Sequence, residues 1–324
     1  MKMKYRLFIL VTLLILTVSL SACAKNTAGT SADSEQDNKI SVVTTIFPQY
    51  DFIRQIAGDN VKLEMLLSPG AESHSYEPTP QDILDVQNSN LFVYVGGDSD
   101  NWVDEILSSM DQDKMHIVTL MDCVTTVEEE TIEGMEAEEE EDGEEEEGPE
   151  LDEHVWTSPQ NAVLIVEKLR DALCEVDPDN AKDYKANAES YIEKLNQLDQ
   201  KFKDVVENSV RKEIVLGDRF PFRYFVDAYG LSYYAAFPGC STETEASAST
   251  VAFLIDKVKE DKIPVVFHIE LSNEQMCDSI CDATGAKKEL LNAIHNISQK
   301  DFDAGVTYID LMEHNVEVLK EALN

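Results

Sequence analysis

The chain alternates short runs rich in β-branched and aromatic residues with stretches of helical periodicity, and it does so twice, once on each side of a longer helical segment. The first series places strands at 40–47, 61–67, 91–96 and 116–120, with helices near 48–58, 80–88 and 101–110. The second places strands at 213–217, 231–237, 263–270 and 290–294, with helices near 222–229, 249–261, 273–284 and 305–323. Such alternation implies parallel strands with crossover helices on both faces of the sheet. Between the series, residues 160–208 carry apolar positions at helical spacing, interrupted at Asp177-Pro178-Asp179, so one long helix is expected from there to Val210. The expected fold is α/β: two parallel-sheet lobes joined by a long linking helix. The 324 residues, 43% of them hydrophobic, favour two domains of ordinary size over one.

In open α/β sheets, ligands bind beyond the carboxyl ends of the strands, so the loops there are the first candidates for a site. His74 follows the strand at 61–67, Asp218 follows 213–217, Glu270 ends 263–270, His295 follows 290–294, and His154 precedes the linking helix. Two of these histidines have similar settings. His74 lies in Glu72-Ser73-His74-Ser75-Tyr76-Glu77-Pro78, and His154 in Asp152-Glu153-His154-Val155-Trp156. A neutral imidazole with a carboxylate at its second nitrogen is how proteins orient a transition-metal ligand. A metal cleft between the lobes is the economical arrangement. Glu270 reads as a strand-end acid that either binds directly or orients a ligand or Arg219. His268 reads as an interior histidine, while Tyr76, Trp156 and Tyr224 read as packing.

The net charge of −38 argues against binding nucleic acid or anionic lipid through basic residues. Residues 128–153 hold seventeen Asp or Glu and no Lys or Arg, and so supply 17 of those charges. A run of like charges is ordinarily solvated. Lying between two histidine loops, this one is also read as an electrostatic funnel whose hard oxygens gather divalent cations with little selectivity. The amino terminus has a basic flank, an apolar run from Leu7 to Leu20 and Ser21-Ala22-Cys23, an export signal too short to be a comfortable membrane span. Residues 24–38, small and polar, read as a tether. Of the five other cysteines, Cys277 and Cys281 share a helix face and look like small buried apolar residues, and the compartment permits a disulfide among the five.

The Leu20-Ser21-Ala22-Cys23 ending resembles the bacterial lipoprotein box, which implies lipid attachment at Cys23. Over nearly the whole mature chain, the motifs resemble the metal-binding lipoproteins of bacterial ABC importers for zinc and manganese. The segments that carry this resemblance are Ser68-Pro69-Gly70 to Pro80, Glu153-His154-Val155-Trp156-Thr157-Ser158-Pro159, Arg223-Tyr224-Phe225 to Tyr229-Gly230-Leu231, and Ala304-Gly305-Val306-Thr307-Tyr308-Ile309-Asp310-Leu311-Met312. The resemblance implies two lobes bridged by a rigid helix and makes His74 and His154 metal ligands. The family's third ligand, after the first strand of the second lobe, falls on Asp218 or Arg219. Arg219 is permanently protonated and has no lone pair to offer. Either Asp218 takes the role or another loop supplies a nitrogen, and His295, in the loop where the family places an acidic ligand, is the expected replacement.

The expected boundaries are a signal segment at 1–22, a lipid anchor and tether at 23–38, a first lobe at 39–157 with its acidic loop at 128–150, a linking region at 158–210 and a second lobe at 211–324. The expected function is capture of Zn²⁺ outside the cytoplasm, by a membrane-anchored monomer, for delivery to an ABC permease. Three imidazoles with one carboxylate favour Zn²⁺; two nitrogens with two carboxylates would favour Mn²⁺. A zinc metallohydrolase and an adhesin holding metal structurally remain as alternatives. No His-Glu-x-x-His pair supports the hydrolase.

Overall fold

In the computed structural model, the described residues are 39–73, 76–110, 112, 115–136, 150–241 and 246–324. The expected signal segment, lipid-bearing Cys23, the tether, most of the acidic loop and His74 lie outside them.

Strand β1 (Ser41–Thr44) is central and reads Ser-Val-Val-Thr, with Val42 and Val43 both fully buried, as a strand covered on both faces requires. It pairs in parallel with β2 (Lys62–Met65) and β3 (Leu91–Tyr94), and β4 (His116–Thr119) completes a sheet of order β2-β1-β3-β4. Helix α1 (Phe47–Ala57) follows β1, and the Gln49 side-chain oxygen accepts the backbone N–H groups of Thr45 and Ile46 at 3.0 Å each. Helix α2 (Pro80–Gln87) starts in a Thr79/Asp82 capping box, and α3 (Asn101–Ser108) follows β3.

Helices α4 (Pro159–Val176) and α5 (Ala181–Glu207) break where Asp177-Pro178 interrupts the pattern. At 27 residues, α5 is about 40 Å long and packs on α1 and α4. The second sheet, also parallel, has order β10-β9-β5-β7, built from β5 (Glu213–Leu216), β7 (Ser232–Tyr234), β9 (Val265–His268) and β10 (Lys287–Leu290). A two-stranded ribbon pairs β6 (Arg219–Phe220) with β8 (Phe237–Pro238). Helices α6 (Arg223–Tyr229), α7 (Ala248–Glu260), α8 (Gln275–Thr284), α9 (Gln299–Asp303) and α10 (Tyr308–Ala322) complete this lobe.

One hydrophobic core runs through both sheets, from Val42 and Leu91 in the first to Leu216 and Phe267 in the second, by way of Ile165, Tyr191 and Phe202 on α4 and α5. Polar ties reinforce it. Asp51 on α1 accepts Tyr308 N–H at the start of α10 (2.7 Å), and Arg54 donates to Val306 O (2.9 Å). Residues 40–324 accordingly form one compact unit.

One expected strand is displaced, and the β6/β8 ribbon and α9 were not expected. The last strand lies at Lys287–Leu290, while Leu291 to Ile294, read as that strand, form a buried loop. An edge strand carries charge to stay soluble, which hid it, whereas the apolar run after it is apolar because the loop enters the core. Ile294 has φ of 66°, a left-handed conformation costly for a β-branched residue.

Candidate metal centre

The carboxyl ends of both sheets meet at one cavity, lined by Thr45, Leu67 and Val95 from the first lobe and His295 from the second, with Glu153 and Trp156. His295 lines this cavity, and both His295 and His154, whose ring stands against it, are buried. Their ring centroids are 4.9 Å apart at an interplanar angle of 82°, and Trp156 lies 5.5 Å from each.

Each imidazole is held by its own carboxylate. Asp152 Oδ1 faces His154 Nδ1 at 3.2 Å and accepts the His154 backbone N–H at 2.8 Å. Glu270 Oε1 faces His295 Nδ1 at 3.2 Å and accepts the His295 backbone N–H at 2.8 Å, while Oε2 accepts Ala293 N–H at 2.7 Å. A carboxylate can only accept, so in the neutral rings the proton sits on Nδ1 and the lone pair on Nε2. This is the arrangement that metal-ligating histidines adopt. Glu270 thus takes the orienting role, toward His295.

The loops that carry these side chains are tied to one another. Trp156 Nε1 donates to Ala293 O (2.8 Å), Tyr308 OH to Trp156 O (2.7 Å), and Phe47 N–H to His295 O (3.2 Å). Asn296 Nδ2 donates to Ser68 O (2.8 Å) and Ala71 O (3.0 Å), fastening the start of the loop that leads to His74 onto the His295 loop. Ser73 and Tyr76, on either side of His74, line the same cavity as His295.

Charge around the pair is uneven. For His154, burial pushes the pKa down, but Asp152, Glu153 and Glu129 together outweigh it and the net direction is up. For His295, burial and then the positive charges at His154 and Arg219 hold the pKa well below the ordinary imidazole value, opposed by Glu72. Burial raises the Glu270 and Glu153 carboxyls against the hydrogen bonds they accept, and burial with Glu153, Glu129 and Asp152 raises the Cys240 thiol.

Asp218 is placed elsewhere. Its Oδ1 accepts Arg219 N–H at 2.9 Å and its Oδ2 accepts Ile269 N–H at 3.2 Å, in a separate cavity shared with Glu72 and Arg219. It ties strand ends together and lines a different cavity from His295. Arg219 bridges the lobes, donating to Glu72 (3.3 Å) and to Ser241 O (3.2 Å).

Sequence reasoning missed three participants. Tyr224, read as packing, donates to Asp152 O (2.6 Å) and accepts Val127 N–H (3.3 Å), so it fixes the base from which the acidic segment leaves and returns. At that base, Glu128 bridges Leu151, and Asp152 N–H bonds Val127 O at 3.0 Å. The outgoing arm then lies on the second lobe, where Glu136 N–H reaches Ala236 O at 2.9 Å. Gly239 is pressed on His154: a Cβ there would sit 3.2 Å from its Cε1 and Nδ1 and 2.8 Å from Phe220 O. Cys240 follows it, and the donor atoms of Glu153, His154 and Cys240 all lie within 4.8 Å of one another, as do those of Glu129, Glu150 and Cys240. No short motif announces either residue; they reach His154 only through the turn after β8. All five described cysteines are thiols, Cys277 and Cys281 on α8 among them.

The sequence profile of the family described as "ZnuA: Zinc-uptake complex component A periplasmic" matches residues 42–322. The chain belongs to this family. It is 34% identical over 306 residues to the high-affinity zinc uptake system protein ZnuA of Bacillus subtilis (strain 168), covering 94% of this chain and 93% of that protein. It is 33% identical over 303 residues to the zinc-binding lipoprotein AdcA of Streptococcus pneumoniae (strain ATCC BAA-255 / R6), covering 93% of this chain but 59% of AdcA, so it spans little more than half of that relative. Among solved structures, the Zn(II)-bound ZnuA-like domain of Streptococcus pneumoniae AdcA superposes with a TM-score of 0.71 at 31% identity, over 88% of this chain and 99% of the domain. The metal-dependent lipoprotein YcdH of Bacillus subtilis gives 0.74 at 31% identity, over 88% and 99%. The two-lobed α/β architecture is thus that of known ZnuA-type proteins. Among the described residues, no helix is long and apolar enough to cross a membrane.

Proposed function

We propose that this chain is the capture component of a zinc importer, working outside the cytoplasm and performing no catalysis. The observation that carries this reading is the buried pair of His154 and His295, brought from distant parts of the chain to a ring separation of 4.9 Å with a carboxylate behind each Nδ1. Two lone-pair nitrogens at one cavity suit a borderline-soft cation such as Zn²⁺ better than Mn²⁺ or Ca²⁺, which are satisfied by oxygen. Membership of a zinc-uptake family and the zinc-binding names of the relatives support the choice of metal. His74, on the loop that the Asn296 side chain fastens, supplies the third nitrogen in this reading, and Asp218 is left out of the ligand set. Cys23 carries the lipid that anchors the chain, and an ABC permease receives the metal from the monomer. Each of His154→Ala and His295→Ala is expected to weaken zinc binding at least ~100-fold in competition with a chromophoric chelator. Wild-type affinity in both variants would remove the pair from the site.

A further inference from the structure

His154 and His295 supply two nitrogens, and a four-coordinate zinc needs further donors. We infer that Cys240 supplies one: the Cys240 thiolate is a ligand of the captured metal, bound next to His154. This rests on the proposed zinc-capture reading and deepens it.

Three placements converge on the sulfur. The Cys240 donor atom lies within 4.8 Å of a ring nitrogen of His154 and of the Glu153 carboxylate, and a tetrahedral zinc at about 2.3 Å from sulfur and about 2.0 Å from nitrogen spans such a separation with small side-chain movement. Gly239 allows this approach, because any side chain at 239 would press on the His154 ring and on Phe220 O. The turn is also held from both sides: Cys240 N–H donates to Glu129 Oε1 at 2.8 Å and Ser241 O accepts Arg219 at 3.2 Å, which fixes the backbone around the sulfur. On binding, the metal–sulfur bond replaces the S–H bond, and the proton leaves to solvent.

A thiolate beside imidazoles changes selectivity. Sulfur strengthens the hold on Zn²⁺ and Co²⁺ and adds little for Mn²⁺ or Ca²⁺, so Cys240 would also sharpen zinc preference. It further joins the two ends of the site, since its sulfur groups with Glu129 and Glu150 at the base of the acidic segment as well as with His154.

Cobalt titration of the full chain tests this, because Co²⁺ reports its ligands by absorption. Visible d–d bands show that the ion sits in a low-symmetry protein site, and an intense near-ultraviolet band shows thiolate-to-cobalt charge transfer. The expected result is both signals with the first equivalent of Co²⁺ in wild type, and loss of the charge-transfer band with d–d bands retained in Cys240→Ser. The same variant should lose at least ~10-fold in preference for Zn²⁺ over Mn²⁺. Wild type with d–d bands but no charge-transfer band, or a band that survives Cys240→Ser, overturns the inference and leaves zinc capture standing. Absence of d–d bands altogether would sink the capture reading and this inference with it.

Discussion

At the scale of single residues, the site is a pair of imidazoles whose behaviour is set by the acids behind them. Glu270 accepts two backbone N–H groups and faces His295 Nδ1, so Glu270→Gln should misorient the ring and reverse the Nδ1 proton preference, costing about 10–100-fold in zinc affinity by calorimetry; an unchanged affinity would refute the orienting role. A second buried acid makes a pH prediction. Asp100 accepts the Val95 and Gly96 backbone N–H groups, yet burial, with Glu153 nearby, lifts its pKa to about 7. An acid whose pKa is raised by folding contributes stability that is fully present below its unfolded value of about 4 and is lost as pH rises through about 7. Wild type should therefore lose on the order of a few kcal/mol relative to Asp100→Asn between pH 4 and pH 8 in urea melts. Parallel stability profiles for the two would contradict the assignment.

At the scale of elements, legibility followed periodicity. The strands β1 to β4 and the helices α4 and α5 announce themselves through β-branched runs and apolar spacing, with the break at Asp177-Pro178 visible in the sequence. Residues 291–294 read as strand because their apolar side chains enter the core without forming one, and only tertiary contact with Glu270 and Trp156 explains their path. His154 is legible because it stands beside acids before a helix, and His295 because it follows a strand in the loop where the family resemblance expects a ligand. Gly239 and Cys240 are not, because proximity to His154 arises from the pairing of β6 with β8, a two-residue ribbon without sequence period. The ordered arm of the acidic segment was also hidden by its charge. Gly134, at φ of 90°, lies against Phe253 on α7, and a Cβ there would meet the ring at 2.1 Å. Gly134→Ala should lift the arm from α7, costing about 1–3 kcal/mol and speeding proteolysis within 128–136. Identical cleavage rates would show that the arm is not held there.

At the scale of the whole molecule, the continuous core through both sheets and the ties from α1 to α10 oppose large hinge motion. Zinc binding is accordingly expected to raise Tm with the logarithm of free metal above its Kd, as binding to the folded state alone requires, while leaving the radius of gyration from X-ray scattering nearly unchanged. A marked compaction on loading would show that the lobes separate in the absence of metal. The acidic surface has its own consequence: zinc association should slow as ionic strength rises, because attraction to exposed charge is screened over about 10 Å at 0.1 M salt. The most direct measurement is an anomalous difference map from a zinc-loaded crystal, recorded at the zinc edge. The predicted result is one dominant peak about 2.0–2.1 Å from Nε2 of both His154 and His295. A dominant peak on the acidic segment, or on Asp218, with the two imidazoles beyond bonding distance, would contradict it.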